Sequence, residues 1–409
     1  MEPTPATISA DRLPSHIFGG GTVSEGGRRT FEALDGIRGI AVLAVMLSHF
    51  ERFLPAVSVL VPLKIAFTFG WTGVDLFFAL SGFLITGILM QTRTAVNYFQ
   101  SFYARRFLRI FPIYYATLIV VFAVAAFVPS IPNVPPPSER WLYFAYLENW
   151  IPLWTGTFPP NVVGHFWSLA VEEQFYIVWP LCVLMLTPRG VLRTAIGLCV
   201  AALALRCVWV AHSGPSEALM LGTVTRMDSL LVGTIAAVLF TGIGGPGARK
   251  HLTAIGLTAL GLWIAGIVVT TWHASPTASF GFVSTVGYTI FAIACGALVL
   301  GAAVGDGGRG FVQRVFRNGA LMRVGKYSYG MYVYHVPMLG ICELLVWRHL
   351  PPAATQNPLL AVAYVAFLGI ATFGVAAVSY ELVERRLLAL KRHVEPKFLL
   401  SDPTLEAHV

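Results

Sequence analysis

Charged residues are scarce in this chain, at 12% of 409 residues, whereas hydrophobic residues make up 56%. Soluble domains carry about 25% charged residues, so this composition excludes an ordinary soluble protein and favours one polytopic membrane domain. Basic residues still give a formal charge of +8. They fall in short clusters between apolar runs and form no basic stripe, which argues against nucleic acid as a partner.

Metal-ligand spacings, a disulfide framework and a secretion signal are also missing. The five cysteines all lie in apolar runs, without a CxxC pair, at Cys182, Cys199, Cys207, Cys295 and Cys342. We expect them to be small core or lipid-facing residues, and we predict no metal site. Residues 1–30 have no apolar core and are predicted to be a disordered cytoplasmic tail rather than a cleaved signal peptide.

Apolar runs of membrane-spanning length are abundant. A spanning helix needs about 20 mostly apolar residues. Ten spans are predicted near 34–55, 67–90, 109–129, 166–187, 194–212, 218–241, 253–272, 281–302, 324–347 and 359–383. Lys and Arg concentrate in the loops that a cytoplasmic N-terminus would place inside. The predicted fold is all-α, a polytopic membrane protein with about ten transmembrane helices and both termini cytoplasmic. Its membrane domain covers 31–390, and 391–409 form a cytoplasmic tail.

Arg38 and His49 are two ionisable residues in the first predicted span. Ionisable groups inside a spanning helix are costly, so they indicate a functional site. Eleven residues at about 100° each return a side chain to nearly the same helical face, about 16 Å further along the axis. This spacing suits a long ligand that reaches from one membrane surface toward the middle of the bilayer. For His49 taken alone, the alternative is a hydrogen bond between helices.

Three carboxylates are predicted at a depth similar to that of His49. For a core of about 30 Å, Asp75 lies about 12 Å, and Glu172 and Glu173 about 10–12 Å, below the outer face. His49 is suited to act as a general base on a hydroxyl, with a glutamate orienting it or stabilising the imidazolium. The pattern predicts acyl transfer. The alternatives are a helix-packing hydrogen bond for Asp75 and a structural role for Glu172 and Glu173.

A cluster of arginines precedes the third predicted span, at Arg105, Arg106 and Arg109. Residues 105 and 109 share a helical face, and their guanidinium groups are suited to bind phosphates at the cytoplasmic surface. A CoA thioester would place its phosphates there and extend its pantetheine arm inward. The alternative is a positive-inside cluster that contacts anionic lipid headgroups.

Two aromatic stretches also allow two interpretations. The long outer connection, about 130–165, is rich in Pro, Trp and Tyr, which are typical of an interfacial belt but are also suited to line an acceptor groove. The Tyr327-Ser328-Tyr329 motif near the inner end of the ninth span is either helix packing or pocket lining.

The chain resembles the acyltransferase-3 family of integral-membrane O-acyltransferases over residues 31–386. The resemblance rests on Arg38 and His49 within Leu-Asp-Gly-Ile-Arg-Gly, on Gly73-Val74-Asp75-Leu76-Phe77-Phe78, and on Arg105-Arg106-Phe107-Leu108-Arg109. It continues with Trp167-Ser168-Leu169-Ala170-Val171-Glu172-Glu173-Gln174-Phe175-Tyr176, Arg226-Met227-Asp228, the tyrosine motif with His335, and Ser379-Tyr380-Glu381. The motif at 167–176 is the most specific of these.

The resemblance implies that His49 is the catalytic base, supported by Glu172 and Glu173. It also implies that Arg38 belongs to the donor site and that the arginine motif contacts CoA. Family members move acetyl or other short acyl groups from cytoplasmic acyl-CoA to hydroxyl groups, often of sugars. Some carry a C-terminal hydrolase-like domain, which we do not expect here because the chain stops soon after the tenth span.

The sequence therefore predicts an acyl-CoA-dependent O-acyltransferase of the bacterial inner membrane, with acyl-CoA and membrane lipids as partners. The expected acceptor is a cell-surface glycan or a lipid-linked saccharide, and the alternative is a small secreted molecule such as a glycosylated macrolide. A transporter of an anionic metabolite is the competing class. The chain shows no internal repeat, which disfavours it.

Overall fold

The computed structural model describes residues 7–9, 22–23, 29–128, 133–156, 161–241, 251–273, 280–305 and 310–399. Almost all of them are helical, which confirms the all-α prediction. The α-helices are α1 Glu32–Phe50, α2 Val61–Thr68, α3 Gly73–Gln91, α4 Tyr98–Phe127, α5 Arg140–Phe144, α6 Ile151–Thr155, α7 Trp167–Met185, α8 Pro188–Ser213, α9 Glu217–Leu221, α10 Thr223–Phe240, α11 Leu252–His273, α12 Tyr288–Val304, α13 Phe311–Phe316, α14 Gly319–Leu345, α15 Pro352–Thr355, α16 Pro358–Ser379 and α17 Arg385–Ala389.

Short helical turns connect these helices. The 3-10 turns are Glu51–Phe53, Ser58–Leu60, Phe69–Thr72, Glu148–Trp150, Gly164–Phe166, Trp347–His349 and Leu390–Val394, and the π turns are Val283–Gly287 and Tyr380–Glu384. Side-chain caps start several long helices. Asn318, for example, accepts hydrogen bonds from the N–H groups of Ala320 and Leu321 at 2.9 and 3.4 Å, which fixes the start of α14.

Within the described residues, nine helical segments are long and apolar enough to cross a membrane. They are Glu32–Phe53, Ser58–Gln91, Tyr98–Phe127, Gly164–Met185, Pro188–Ser213, Glu217–Phe240, Phe280–Val304, Gly319–His349 and Pro358–Val394. The remaining predicted span, 253–272, falls on α11, whose apolar part Ala254–Val269 is shorter. The structure thus agrees with about ten transmembrane helices.

Helix α4 begins earlier than the sequence predicted. The third span was predicted at 109–129, with the arginines in the preceding loop, but α4 runs from Tyr98 to Phe127. Its 30 residues measure about 45 Å, which exceeds the hydrocarbon core of about 30 Å. The arginine motif therefore lies within α4. It belongs to the N-terminal part of the helix, which extends beyond the hydrocarbon core on the side predicted to be cytoplasmic.

Among the residues that the structure describes, strands occur only as short pairs near the chain ends. Strand β1 (Thr7–Ser9) pairs antiparallel with β4 (Lys397–Leu399), and β2 (Thr22–Val23) pairs antiparallel with β3 (Arg29–Thr30). Most of residues 1–30, and all of 400–409, lie outside the described residues. The predicted division into tails and membrane domain stays a prediction.

Glycines bring the central helices into close contact. A Cβ atom on Gly325 of α14 would overlap the backbone of Asp35 in α1, and one on Gly82 of α3 would overlap that of Leu230 in α10. Small residues of this kind allow membrane helices to approach closely. Helix α1 is thereby held against α14, the two helices that carry His49 and His335.

Two ion pairs are fully buried among the spans. Arg226 on α10 donates to the Asp75 carboxylate at 2.7 Å, and Arg206 on α8 donates to that of Asp228 at 2.7 Å. Arg226 also lies 3.8 Å from the ring centroid of Tyr288. Opposite charges paired in this way offset much of the cost of burying each one. They fix α8, α10 and α12 around α3.

The outer connection folds back among the helices. Gln174 of α7 donates to the Tyr146 carbonyl at 2.7 Å and to the Asn149 side chain at 2.9 Å. Irregular backbone is tolerated at this depth because protein surrounds it. Its aromatic residues divide into two groups, since Tyr143 and Tyr146 are buried against α4, whereas Trp141 and Trp154 are 59% and 70% exposed. The exposed pair fits the predicted interfacial belt.

Candidate active site

An inner cavity of about 190 Å³ lies between α1, α3, α4, α7 and α14. Its wall carries guanidinium groups from two helices, a carboxylate and several hydroxyls. They belong to Arg38, Arg106, Arg109, Glu172, Ser81 and Tyr332. Three cations and one anion in a small cavity favour an anionic ligand.

Two of the three arginines make contacts that orient them. Arg38 pairs with Asp35, three residues earlier on α1. Arg106 lies over the ring of Tyr176 at 3.8 Å, and its buried Nε has no hydrogen-bond partner within the described residues. Arg109 follows three residues later on α4, and thus on the same helical face. The Nε of Arg106 is a donor that a bound phosphate or carbonyl oxygen would satisfy.

The Glu172 carboxylate belongs to this inner cavity. It accepts a hydrogen bond of 2.6 Å from the Ser81 hydroxyl on α3. Glu173 does not line the cavity, and its Oε1 is buried without a hydrogen-bond partner among the described residues. Adjacent positions on a helix point about 100° apart, so only one of the two carboxylates reaches this cavity.

A larger outer cavity of about 890 Å³ opens on the other side of the site. Mostly apolar side chains from α4 and α14 line it, together with His49, His165 and Trp167. Arg52, Glu343 and Arg348 also line it, and Arg52 pairs with Glu343. His49 is the penultimate residue of α1, so its ring is presented to this cavity where the helix ends.

The ring of His49 contacts another histidine rather than a carboxylate. Its Nδ1 lies 2.9 Å from the Val45 carbonyl and 3.3 Å from Nε2 of His335. The rings of His335 and His165 are also close, with centroids 4.7 Å apart. The three histidines come from three separate segments and form one cluster beside the outer cavity.

The two cavities approach each other at the start of α7. Trp167 lines the outer cavity, whereas the next residue, Ser168, lines the inner one. The hydroxyl of Tyr332 lies 2.6 Å from that of Ser168 and donates to the His165 carbonyl at 2.7 Å. Ser168 and Tyr332, joined to each other and to His165 by hydrogen bonds, thus lie between the arginine-lined cavity and the cavity that holds His49.

Comparison with known proteins assigns this architecture to a family. The model of the acyltransferase domain that defines the acyltransferase-3 family matches residues 31–381. The chain belongs to the acyltransferase-3 family. It is a multi-pass membrane protein, as the sequence predicted.

Several curated acyltransferase-3 relatives are named O-acetyltransferases. The peptidoglycan O-acetyltransferase OatA of Listeria monocytogenes is 27% identical over 380 residues, which cover 87% of this chain and 56% of that protein. A putative O-acetyltransferase of Staphylococcus aureus strain COL is 27% identical over 329 residues, with 76% and 51% covered. The chain spans about half the length of these relatives. No solved structure matches it.

Within this fold, the predicted site residues fall into three groups. Arg38, Arg106, Arg109 and Glu172 share the inner cavity, and His49 lies in the outer one. Arg105, Glu173 and Asp75 line neither cavity. The face of α4 that lines the inner cavity thus carries Arg106 and Arg109 and not Arg105, and the predicted phosphate-binding role of the arginine motif stays a prediction.

Asp75 lies outside the site. It is fully buried, lines neither cavity, and accepts hydrogen bonds of 2.7 Å from Arg226 and from the Ser229 hydroxyl. These contacts favour the helix-packing alternative that the sequence left open. They do not support a catalytic role for Asp75.

Some functional positions were not assigned from the sequence. His165, Ser168 and Tyr332 belong to motifs that the resemblance rests on or adjoins, but their spacing gave no chemical reason to choose them. Of the tyrosine motif, Ser328 and Tyr329 line the inner cavity, whereas Tyr327 contacts Glu381 at 3.3 Å. The motif therefore combines pocket lining with helix packing.

Proposed function

We propose that this protein is an acyl-CoA-dependent O-acyltransferase that moves an acetyl or other short acyl group to a hydroxyl on the far side of the membrane. One observation carries the proposal. An arginine-lined cavity and a cavity holding His49 adjoin at Ser168 and Tyr332. A donor and an acceptor approaching from opposite membrane faces require such an arrangement.

The inner cavity suits the donor. The positive-inside rule places Arg38, Arg106 and Arg109 toward the cytoplasm, where acyl-CoA is available. CoA carries phosphates that bind guanidinium groups well, and its pantetheine arm is narrow enough to extend past Phe77 and Phe78, which also line this cavity. Glu172 supplies countercharge to the arginines. CoA is far larger than the cavity, so its nucleotide remains at the cytoplasmic mouth.

The outer cavity suits the acceptor. In the proposed step, Nε2 of His49 takes the proton of the acceptor hydroxyl as its oxygen attacks the thioester carbonyl. The carbon–sulfur bond breaks, an ester forms, and the CoA thiolate leaves and takes up a proton. The side chain of Tyr332 or Ser168 must move for the thioester to reach His49, because their hydrogen-bonded hydroxyls lie between the two cavities.

The acceptor is proposed to be a cell-surface glycan or a lipid-linked saccharide at the bacterial inner membrane. Its support is the Listeria relative, a peptidoglycan O-acetyltransferase, and a cavity that both Trp167 and His49 line. A small secreted molecule such as a glycosylated macrolide is the alternative acceptor. A transporter remains the competing class, and it predicts movement of a solute without formation of a new ester.

The first experiment measures transfer directly. Purified protein in lipid nanodiscs is incubated with radiolabelled acetyl-CoA and with cell-wall glycan or lipid-linked oligosaccharide. We expect alkali-labile label in the acceptor with the wild type, and a loss of at least about 100-fold for His49→Ala, because a general base contributes about 10²–10⁴-fold. Equal labelling by both proteins would exclude His49 as the base.

Two further variants complete this test. His212 is the control: its Nδ1 contacts the backbone carbonyl four residues earlier, as that of His49 does. Because His212 is exposed and lines neither cavity, His212→Ala should label the acceptor as well as the wild type does. Arg106→Ala should raise the KM for acetyl-CoA about tenfold or more, since a charge-assisted hydrogen bond contributes about 1.5–3 kcal/mol. An unchanged KM would remove Arg106 from the donor site.

A further inference from the structure

The histidine cluster beside the outer cavity has a defined pattern of protons. A backbone carbonyl only accepts hydrogen bonds, so a ring nitrogen that contacts one must carry hydrogen. Nδ1 of His335 lies 2.6 Å from the Tyr332 carbonyl, and Nδ1 of His49 lies 2.9 Å from that of Val45. In the neutral rings, Nε2 of each histidine is therefore the nitrogen with the lone pair.

The ring of His165 is oriented by a backbone carbonyl that has no helical hydrogen-bond donor, because a proline stands at the donor position. Pro337 has no N–H, so the carbonyl four residues earlier, Val333, lacks its usual helical partner. Nε2 of His165 occupies this position at 3.2 Å. His165 thus carries its hydrogen on Nε2, and its ring packs against that of His335. A proline two residues after His335 is the sequence signal for this local geometry.

These tautomers decide which ring donates in the hydrogen bond between His49 and His335. Nδ1–H of His49 is the hydrogen that lies between the two rings, and Nε2 of His335 accepts it at 3.3 Å. The same hydrogen is shared with the Val45 carbonyl. Nε2 of His49 remains for the acceptor hydroxyl, since no hydrogen bond occupies it within the described part of the chain.

We propose that His335 is the positioning residue of the catalytic base, and this inference rests on the proposed function. It holds His49 in the tautomer with hydrogen on Nδ1 and accepts from the imidazolium that forms when Nε2 takes a proton. In other catalytic histidines a carboxylate has this role. The sequence predicted Glu172 or Glu173 for it, but Glu172 lies in the inner cavity and accepts from Ser81.

His335 is placed to do this without touching substrate. Its side chain is fully buried, and it lines neither cavity. The cluster is not a metal site, since no three His, Cys, Asp or Glu among the described residues are arranged to hold a metal ion. A neutral lone pair beside His49 stabilises the positive charge less than a carboxylate would, but it avoids a second buried charge.

The test separates positioning from packing with two substitutions at one position. His335→Phe keeps an aromatic ring but removes the nitrogen that accepts the hydrogen bond from His49. In His335→Gln, the side-chain oxygen can lie near the position of Nε2 and accept the same hydrogen bond. We expect His335→Phe to lower kcat about 100-fold with the KM for acetyl-CoA within threefold, and His335→Gln to retain kcat within about tenfold. In a His49→Ala background, His335→Phe should cause no additional loss.

Several outcomes would overturn the inference. Wild-type kcat in His335→Phe would show that the contact is not needed. Equal loss in both variants, with a lower thermal midpoint, would show that His335 only packs. If the wild type itself forms no ester, the proposed function fails instead, so the two failures are distinguishable. His212→Phe is the matched control and should leave every parameter unchanged.

Discussion

At the scale of single residues, the two cavities differ in their lining. Arginines and Glu172 line the inner cavity, whereas mostly apolar side chains line the outer one, together with His49 and a few charged residues near its rim such as Arg52 and Glu343. Arg38 and His49 share one helix but belong to different cavities, about 16 Å apart along the axis. In the proposed reaction, the donor phosphates contact the guanidinium groups of the inner cavity, and the acceptor hydroxyl contacts the imidazole of His49.

Asp75 provides a residue-scale prediction. Asp75→Asn leaves the Arg226 charge without its partner in a fully buried position, which costs about 3–5 kcal/mol. We expect a lower thermal midpoint in detergent or nanodiscs, whereas His49→Ala keeps the wild-type midpoint. Glu381→Gln is the matched control, because Glu381 pairs with Lys326 at 2.9 Å in an exposed setting, where an ion pair contributes little to stability. An unchanged midpoint in Asp75→Asn would contradict the packing role.

At the residue scale, depth and charge could be read from the sequence, whereas contacts could not. The helical spacing and the cost of intramembrane charge selected Arg38, His49 and the arginine motif; of these, Arg38, His49, Arg106 and Arg109 line the two cavities, and their chemical roles stay predictions. They did not distinguish Asp75, which pairs with Arg226, from a base, because a helical period gives a depth and a face but no partner. His335 was visible as an ionisable residue, yet only the folded structure places it 3.3 Å from His49.

At the scale of elements, glycines control how closely the functional helices approach. In Gly325→Ala the new methyl group would overlap the Asp35 backbone and push α14 from α1. Overpacking of this kind costs about 1–3 kcal/mol, so we expect a lower thermal midpoint and reduced acyl transfer. Gly369→Ala on α16 is the control, because a Cβ there meets no atom within 4 Å. A Gly325→Ala protein as stable as wild type would contradict this packing.

The segment between α4 and α7 gives a prediction about pH. Glu148 is fully buried in its 3-10 turn, Tyr114 donates to it at 3.5 Å, and burial raises the pKa of its carboxyl to about 8. The folded state then binds a proton that the unfolded state releases near pH 4.5, so stability falls as the pH rises from about 4.5 to about 8. This carboxyl is protonated at neutral pH.

The measurement is the thermal midpoint against pH for the wild type and for Glu148→Gln. We expect the substitution to reduce the fall in stability between pH 5 and pH 8, since Gln resembles the protonated carboxyl and does not titrate. Glu139→Gln is the control, as its carboxyl belongs to the same outer segment. Parallel curves for the wild type and Glu148→Gln would contradict the raised pKa.

Element boundaries show why part of the fold was predictable and part was not. Apolar length and the distribution of Lys and Arg were sufficient for the spans, because the bilayer imposes both. The extra turns of α4 and the fold of the outer segment escaped prediction. Gln174, Asn149 and Tyr146 join through hydrogen bonds between residues distant in sequence, and no periodic pattern signals such contacts.

At the scale of the whole molecule, Ser168 and Tyr332 lie between the two cavities. Under the proposed function, each cavity receives one substrate from its own side of the membrane. A thioester confined to one side must meet a hydroxyl confined to the other, in a volume that excludes water and so limits hydrolysis.

Sidedness of transfer tests this account most directly. The protein is reconstituted into sealed vesicles, with radiolabelled acetyl-CoA on the side of the arginine cavity and acceptor glycan on the other. Separate cysteine labelling establishes which orientation each vesicle population has. The account predicts labelled ester with donor and acceptor on opposite sides, and none when His49 is replaced by Ala. Ester formation only with both substrates on one side would contradict it.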